Sequence, residues 1–474
     1  MAAGQDKYFD SSEFKEKLER YEQAERSGQQ AFFGSDDLSD IAEYYYNEGD
    51  KAKAVNILDY AIKTFPGAAL PLVLRARTAL LEEKDLAAAK HYAGMVVDKL
   101  DLDYIYLEAE LMISEKQVEE ADAFLHDRMD KIEEDDLPDY VLDVAALYAD
   151  YNLMDKAQLW LSLSNEPELA DYKELKGRIA YSKGNYEESE NIFEELLDED
   201  PYSNKFWNSL ASTQYMRDRI NDSITSSEFS IAINPNDEEA ILNKANGLFS
   251  LGNYEEALEY YKRFTEICPD EETGYMFQGN ALLNMNRLKE AEELLKIAER
   301  KALKSKNNLS EIYQQLAFTL SLEGQLDEAL SYIGKASELP GADHIDLLIL
   351  KGHVLLDHNH VAKAQKCFVL AWTSSGHSQS VLLRIATSIF DCGYASIAYK
   401  MFKHVLGHGE DTANEGFSYM AYCCKQLDRH DEFLHYLKKA CELNPREAKL
   451  VLSELFPKGL STDEYYDYAL THSM

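Results

Sequence analysis

The chain has 474 residues, too many for one ordinary core unless it is built from repeated parts, and 45% apolar with 28% charged residues is a globular balance. Its 86 Asp and Glu against 48 Lys and Arg leave a formal charge of −38, which repels nucleic-acid phosphates and anionic lipid headgroups and excludes both as default partners. The excess is uneven: residues 101–200 carry 30 acids and 8 bases, a net of −22, while residues 351–400 carry 2 acids and 5 bases, a net of +3. The acids read first as solvated faces that keep a large protein in solution, and alternatively as a steering surface for a basic partner.

The opening "MAAGQDKYFDSSEFKEKLERYEQ" has no apolar h-region, so no secretory leader is expected, and residues 8–30 read as one amphipathic helix. No run approaches a membrane span; the richest, "DLLILKGHVLL", is short and broken by Lys351 and His353. From residue 35 the chain reads as helix, turn, helix. "AEYYYNEGDKAKAVNIL" (Ala42, Tyr45, Gly49, Ala54, Leu58) closes at Pro66, and weaker copies start near 70, 102 and 138, marked by Ala89, Ala121 and Ala157.

Between 170 and 305 the repetition is plainest, because "GNYEESENIF" at 184 returns as "GNYEEALEYY" at 252, two periods of 34 later. Counted from 170, 204, 238 and 272, the eighth place holds Gly177, Ala211, Ala245 and Gly279, and the twentieth Ser189, Ser223, Ala257 and Ala291. Small residues at these places let two antiparallel helices approach, and the large apolar residues three or four positions away form the stripe between them. Gly252 is expected to end the first helix in the left-handed conformation, and Asn253 to cap the second with Glu256 as its capping-box partner. Pro201, Pro235 and Pro269 stop the second helices.

At "ERKALKSKNNLSE" the phase breaks, since the next unit starts near 310, 38 residues after 272. The helix there is expected to run past Ala298, which either changes the local pitch or makes a joint between two sub-blocks. Further units show Ala317/Gly324/Ala329/Pro340, Gly352/Ala364/Phe368, Ala386/Gly393/Ala398/Phe402 and Ala421/Ala440/Pro445. "TSSGHSQS" and "LGHGEDTAN" predict longer, more mobile loops.

No catalytic motif is found: no P-loop, no G-x-G-x-x-G after a strand, no H-E-x-x-H and no G-x-S-x-G. The chain is therefore expected to be no enzyme, with no cofactor. The one cluster for a metal is "HVLLDHNH", with His353, Asp357, His358 and His360, to which His404 and His408 add an i, i+4 pair. Nothing fixes a fourth ligand, and ordinary surface or core histidines are the expectation. The six cysteines show no C-x-x-C spacing and fit a reduced, cytoplasmic setting.

The recurring pattern resembles the tetratricopeptide repeat family, whose units read W-x2-L-G-x2-Y, then A-x3-F, then P. "WNSLA" (Trp207, Leu210, Ala211) with Pro235 carries the likeness well, although Gln214 stands where Tyr is usual. The resemblance, to a multi-repeat member of bacterial type, implies an all-α, right-handed superhelical solenoid of about twelve helix-turn-helix units. Residues 1–34 would be an N-terminal cap, 35–169 divergent repeats, 170–305 the strongest repeats, 306–445 further repeats after the phase break, and 446–474 C-terminal capping helices. The tyrosines of "STDEYYDYALTHSM" offer a route to homo-oligomers through the terminal helices.

Family members bind protein segments on the concave face, lined by the first helix of each unit at about places 2, 5, 6, 9, 12 and 13. Carried onto the strongest units, this implies a groove of Arg178, Tyr181, Asn208, Ser212, Tyr215, Asn243, Asn246, Phe249, Met276, Asn280 and Asn284. Asn246 and Asn280 share one place in adjacent units, where stacked amides can each donate to and accept from an extended backbone. A family variant that grips an acidic C-terminal carboxylate needs Lys, Asn and Arg in three units; here those places hold Asn208 and Ser212, Asn243, then Thr273 and Phe277, so only the central Asn survives. The resulting expectation is a non-catalytic adaptor for an extended protein segment, basic clients being favoured, with no nucleic acid and no membrane. The alternative is a structural subunit docking through its convex face or ends; a metal- or ligand-sensing regulator is the remote one.

Overall fold

The computed structural model describes residues 8–9, 11–27, 32–305, 307–407, 414–457 and 459–472. Every regular element among them is helical. Twelve antiparallel helical hairpins follow one another, from Ser35–Asn47 with Lys51–Thr64 to Phe417–Gln426 with His430–Leu443. In the central block the first helices begin at Ala170, Asn204, Glu238 and Glu272, the positions at which the 34-residue period was set. The helix Ser12–Ser27 precedes the hairpins, with Phe14 buried among Leu38, Ile41 and Leu58; Pro445–Leu452 and Thr462–Thr471 follow them.

The chain divides into two compact units, residues 1–243 and 244–474. The division falls in helix Glu238–Ser250 and not at the phase break. There helix Leu288–Ser305 simply runs on for 18 residues, burying Ala298 and Ala302. Within each unit, consecutive helices pack on one another and the first helices of successive hairpins also touch, as Leu309–Leu322, His344–Asp357 and Gln379–Asp391 do. Each hairpin is therefore a slab whose first helix lies on one face of the stack and whose second lies on the other.

One device closes all twelve hairpins. Two residues past the end of each first helix, or three at Lys84, the chain turns left-handed: Gly at 49, 184, 252, 324 and 393, and Lys84, Lys116, Asn152, Asp218, Asn286, Asn359 and Asp428 elsewhere. The next N–H then reaches back into the last turn, as Asn253 N–H donates to the Leu248 carbonyl at 3.0 Å. Asn253 makes no side-chain cap, and this turn is why it forms no capping box with Glu256. Its N–H is already spent on the preceding helix, which leaves the Glu256 carboxylate nothing to receive.

Packing follows the eighth and twentieth places. Ala211, Ala245, Ala257, Ala291, Ser189 and Ser223 are fully buried. Gln214, in the place where the family usually has Tyr, is buried too, and its Oε1 accepts from Ser226 Oγ at 2.7 Å. The predicted long loop at "TSSGHSQS" is instead a tight reversal. Helix Val361–Ser374 ends, Gly376 and His377 both turn left-handed, and His377 N–H donates to the Trp372 carbonyl at 3.0 Å before the next helix starts at Gln379. Most of "LGHGEDTAN" lies outside the described residues. The C-terminal tyrosines are not free surface: Tyr465 is buried, stacked on Phe456 at 4.0 Å, and Tyr466 and Tyr468 are half-buried. All six cysteines are free thiols, three of them buried.

Candidate functional site

The first helices offer two concave surfaces, one in each unit. In the first unit a cavity of ≈370 Å³ brings Arg178 and Tyr181 together with Ser212 and adds Asn152, Ser209 and Glu239. Arg178 is held from below, its Nη2 2.7 Å from Asp150 Oδ1 and its Nη1 3.7 Å from Glu174 Oε1. Burial raises the Tyr181 hydroxyl above its usual range, and its ring packs edge-on against Tyr186 at 5.5 Å. Burial, helped by the charges of Asp237 and Glu238, pushes the Glu239 carboxyl up. Asn243 Nδ2 donates to Ser212 Oγ at 3.2 Å, so these two expected groove residues brace each other.

Other expected groove residues serve the fold. Asn208 is buried and donates to Asp237 Oδ1 at 3.0 Å. Met276 sits in the core with Leu295, Ala298, Ile312 and Leu316, because its place in the helix turns toward the following hairpin. Asn246 Oδ1 accepts from the buried Tyr261 hydroxyl at 2.8 Å. Tyr215, Phe249 and Asn280 are half-buried and Asn284 is exposed, with Phe249 edge-on to Tyr254 at 5.2 Å.

The second unit holds a larger cavity, ≈590 Å³, which the sequence reading did not mark. Its floor is a ladder of four residues 35 apart, Gln314, Ile349, Arg384 and Tyr419, one from the first helix of each of four successive hairpins. Phe318, His353 and Ser388 form a second row, also 35 apart. Counted from 310, 345, 379 and 414, Gln314 and Ile349 hold place 5, Arg384 and Tyr419 place 6, and Phe318 and His353 place 9, so the rule reaches all of them but Ser388 once it is extended past the phase break. Asp346, Asp357, Asp391, Glu415 and Glu447 bring five carboxylates to the rim and walls. Asp346 pairs with Arg384 at 2.6 Å, and Glu447 accepts from the N–H groups of Gly416 and Ser418 at 2.8 and 3.2 Å. Asp357, Asp391 and Glu415 form no ion pair among the described residues. The protein mass around Asp391 pushes its carboxyl up to about 6, and burial pushes the Tyr419 hydroxyl to about 12.

The histidine cluster does not assemble. His353 Nδ1 lies 3.1 Å from Ser388 Oγ and 3.8 Å from Cys392 Sγ, and burial holds its imidazole below the usual range. His358 points elsewhere, its Nε2 3.1 Å from the Ser321 carbonyl, and His360 precedes helix Val361–Ser374. Among the described residues no three His, Cys, Asp or Glu side chains are grouped to hold a metal; His408 lies outside them. No helix of the described residues is long and apolar enough to cross a membrane.

A 152-residue stretch is 28% identical to human protein O-mannosyl-transferase TMTC3, covering 30% of this chain and 16% of that one. The chain thus spans about a sixth of the length of that relative. Among solved structures, yeast Tom70 is similar at 15% identity and a TM-score of 0.45, covering 99% of this chain and 95% of its own. A tetratricopeptide repeat protein from Parabacteroides merdae is similar at 16% identity and 0.45, over 54% and 97%. Cut9, in the APC/C Cut9–Hcn1 hetero-tetramer, is similar at 15% and 0.43, over 93% and 88%. Residues 161–224, 238–271 and 420–447 each match the family described as Tetratricopeptide repeat, and the chain is a tetratricopeptide repeat protein.

Proposed function

We propose that the protein is a non-catalytic adaptor that binds an extended segment of a partner protein along the first-helix face of its hairpins. Proteins of this repeat family generally bind protein partners. The observation that carries the reading is the ladder Gln314–Ile349–Arg384–Tyr419, whose equal spacing offers one wall residue per hairpin to a chain laid across the helices. Three carboxylates beside it, without an ion pair among the described residues, favour a basic segment. In the first unit, Arg178, Tyr181 and Ser212 form a second, separate contact surface. A preorganised solenoid surface orders little on binding, so most of the contact energy is kept as affinity. We place the protein in the cytoplasm, where six free thiols persist.

The test is fluorescence anisotropy with extended peptides bearing Lys and Arg, and with matched acidic peptides. The basic set should bind and should weaken with added salt. Asp357→Asn with Asp391→Asn should weaken it by about tenfold, a difference of about 1.4 kcal/mol. Equal binding of both sets, or indifference to those substitutions, would remove the acidic groove from the reading.

A further inference from the structure

The second helices of two adjacent hairpins, Val361–Ser374 and Ala395–Gly407, contain no Asp or Glu in a chain that has 86. Between them lies a cavity of ≈390 Å³ with nearly apolar walls, formed by Phe368, Leu382, Ile385, Ile389, Met401 and Trp372. Helix Val361–Ser374 touches the following helix Gln379–Asp391 more lightly than the second helices of neighbouring hairpins touch theirs, and this leaves the cleft open. Val361, Val369 and Ile397 line its mouth and stay 50%, 51% and 51% exposed, a cost in solvated apolar surface that folding alone does not relieve.

A further observation points to an occupant. Lys366 stands three positions before Val369, and Lys400 three after Ile397, so each neighbours a mouth residue on the helix surface. Neither lysine is ion-paired among the described residues, although acids outnumber bases nearly two to one.

We propose that this cleft docks an acidic amphipathic segment of a partner protein. One or two bulky apolar side chains enter the cavity, and carboxylates of the segment meet Lys366 and Lys400. The apolar mouth runs along two helices, the footprint of a segment laid into a groove and not of an enclosed small molecule. Charge complementarity fixes the sign, since an acidic segment is repelled by most of a −38 chain and attracted here. This surface is independent of the acid-lined groove and opposite to it in chemistry.

The test uses the full chain and a fluorescein-labelled peptide of about 16 residues, with Leu and Phe at i, i+3, i+4 and i+7 and Glu on its other face. The peptide should bind, and Ile397→Glu should weaken it at least about tenfold. Gln365→Glu, at an exposed mouth position that removes no apolar contact, should weaken it several-fold and serves if the first variant does not fold. Lys366→Glu with Lys400→Glu should transfer preference to the same peptide carrying Lys in place of Glu. The proposal is overturned if acidic and basic peptides bind the wild type alike, or if both mouth substitutions leave binding unchanged. It is also overturned if these variants abolish self-association of the wild type, which makes the occupant a second copy. Loss of phosphatidylserine-vesicle binding in the same variants would overturn it in favour of a lipid surface.

Discussion

The Phe368 ring occupies the space in which a side chain on Gly352 would stand: a Cβ there would come within 2.4 Å of the ring. The same 16-residue relationship recurs in Gly177 with Phe193, at 2.9 Å, and in Gly279 with Leu295, at 2.7 Å. These three hairpins thus seat one large second-helix residue against a first-helix glycine, while alanine holds the place in others, as Ala317 does 16 residues before Ile333.

Gly352→Ala should therefore destabilise the second unit by about 1–3 kcal/mol despite the better helix propensity of alanine. Gly334, also helical, has nothing within 4 Å of a built Cβ. Gly334→Ala should stabilise by about 0.5–1 kcal/mol. Urea unfolding of the two variants checks both signs.

The left-handed hairpin turns predict a stabilising change. Lys116 holds φ +66 where five other hairpins have glycine. Lys116→Gly should raise stability by about 1 kcal/mol, because glycine takes that conformation without a Cβ clash. A lower unfolding midpoint would contradict the turn geometry.

Arg77 and Glu110 form a buried pair in the first unit, with Arg77 Nη2 2.8 Å from Glu110 Oε1 and Arg77 Nε 3.1 Å from both carboxylate oxygens. Arg77→Met leaves the carboxylate buried without its cation and should cost about 3–5 kcal/mol. Adding Glu110→Leu should recover most of that loss, which a double-mutant cycle in urea measures.

Asp391 gives a pH signature. Its carboxyl rises from 3.8 to about 6 on folding. A folded pKa above the unfolded one means that its contribution to stability is present below about 4 and is lost as pH rises through about 6. Asp391→Asn should thus melt about 1–2 °C higher than wild type at pH 7.5 and equally near pH 3.5. Binding of a basic peptide should run the other way, strengthening from pH 5 to 7.5 in wild type and less so in the variant.

The hairpins were legible because spacing alone encodes them: small residues at Gly177, Ala211, Ala245 and Gly279 can serve only a close helix pair. The capping box read at Asn253 does not form, because the turn before it claims the Asn253 N–H that Glu256 would have received. The placement of the expected groove residues was legible in part. Arg178, Tyr181 and Ser212 converge as the places imply, but Met276 and Asn208 sit where the same places rotate into the interior. The acid-lined cavity escaped notice because its ladder lies beyond Leu288–Ser305, whose extra turn shifts the register by 4 residues. The tight reversal at Gly376–His377 was hidden because a histidine gives no sign of adopting φ +66.

The central claim is that partners lie on the first-helix face. The most direct measurement is quantitative partner capture by mass spectrometry with wild type and with the variant Asn280→Ala, Asn284→Ala, Phe318→Ala, after circular dichroism shows the variant folded. Asn246 is left intact because its amide supports the buried Tyr261 hydroxyl. The account predicts that at least one defined partner falls about tenfold or more in the variant while Ile397→Glu retains it. Retention of every partner by the groove variant, with loss only in Ile397→Glu, would contradict it and move the function to the opposite face.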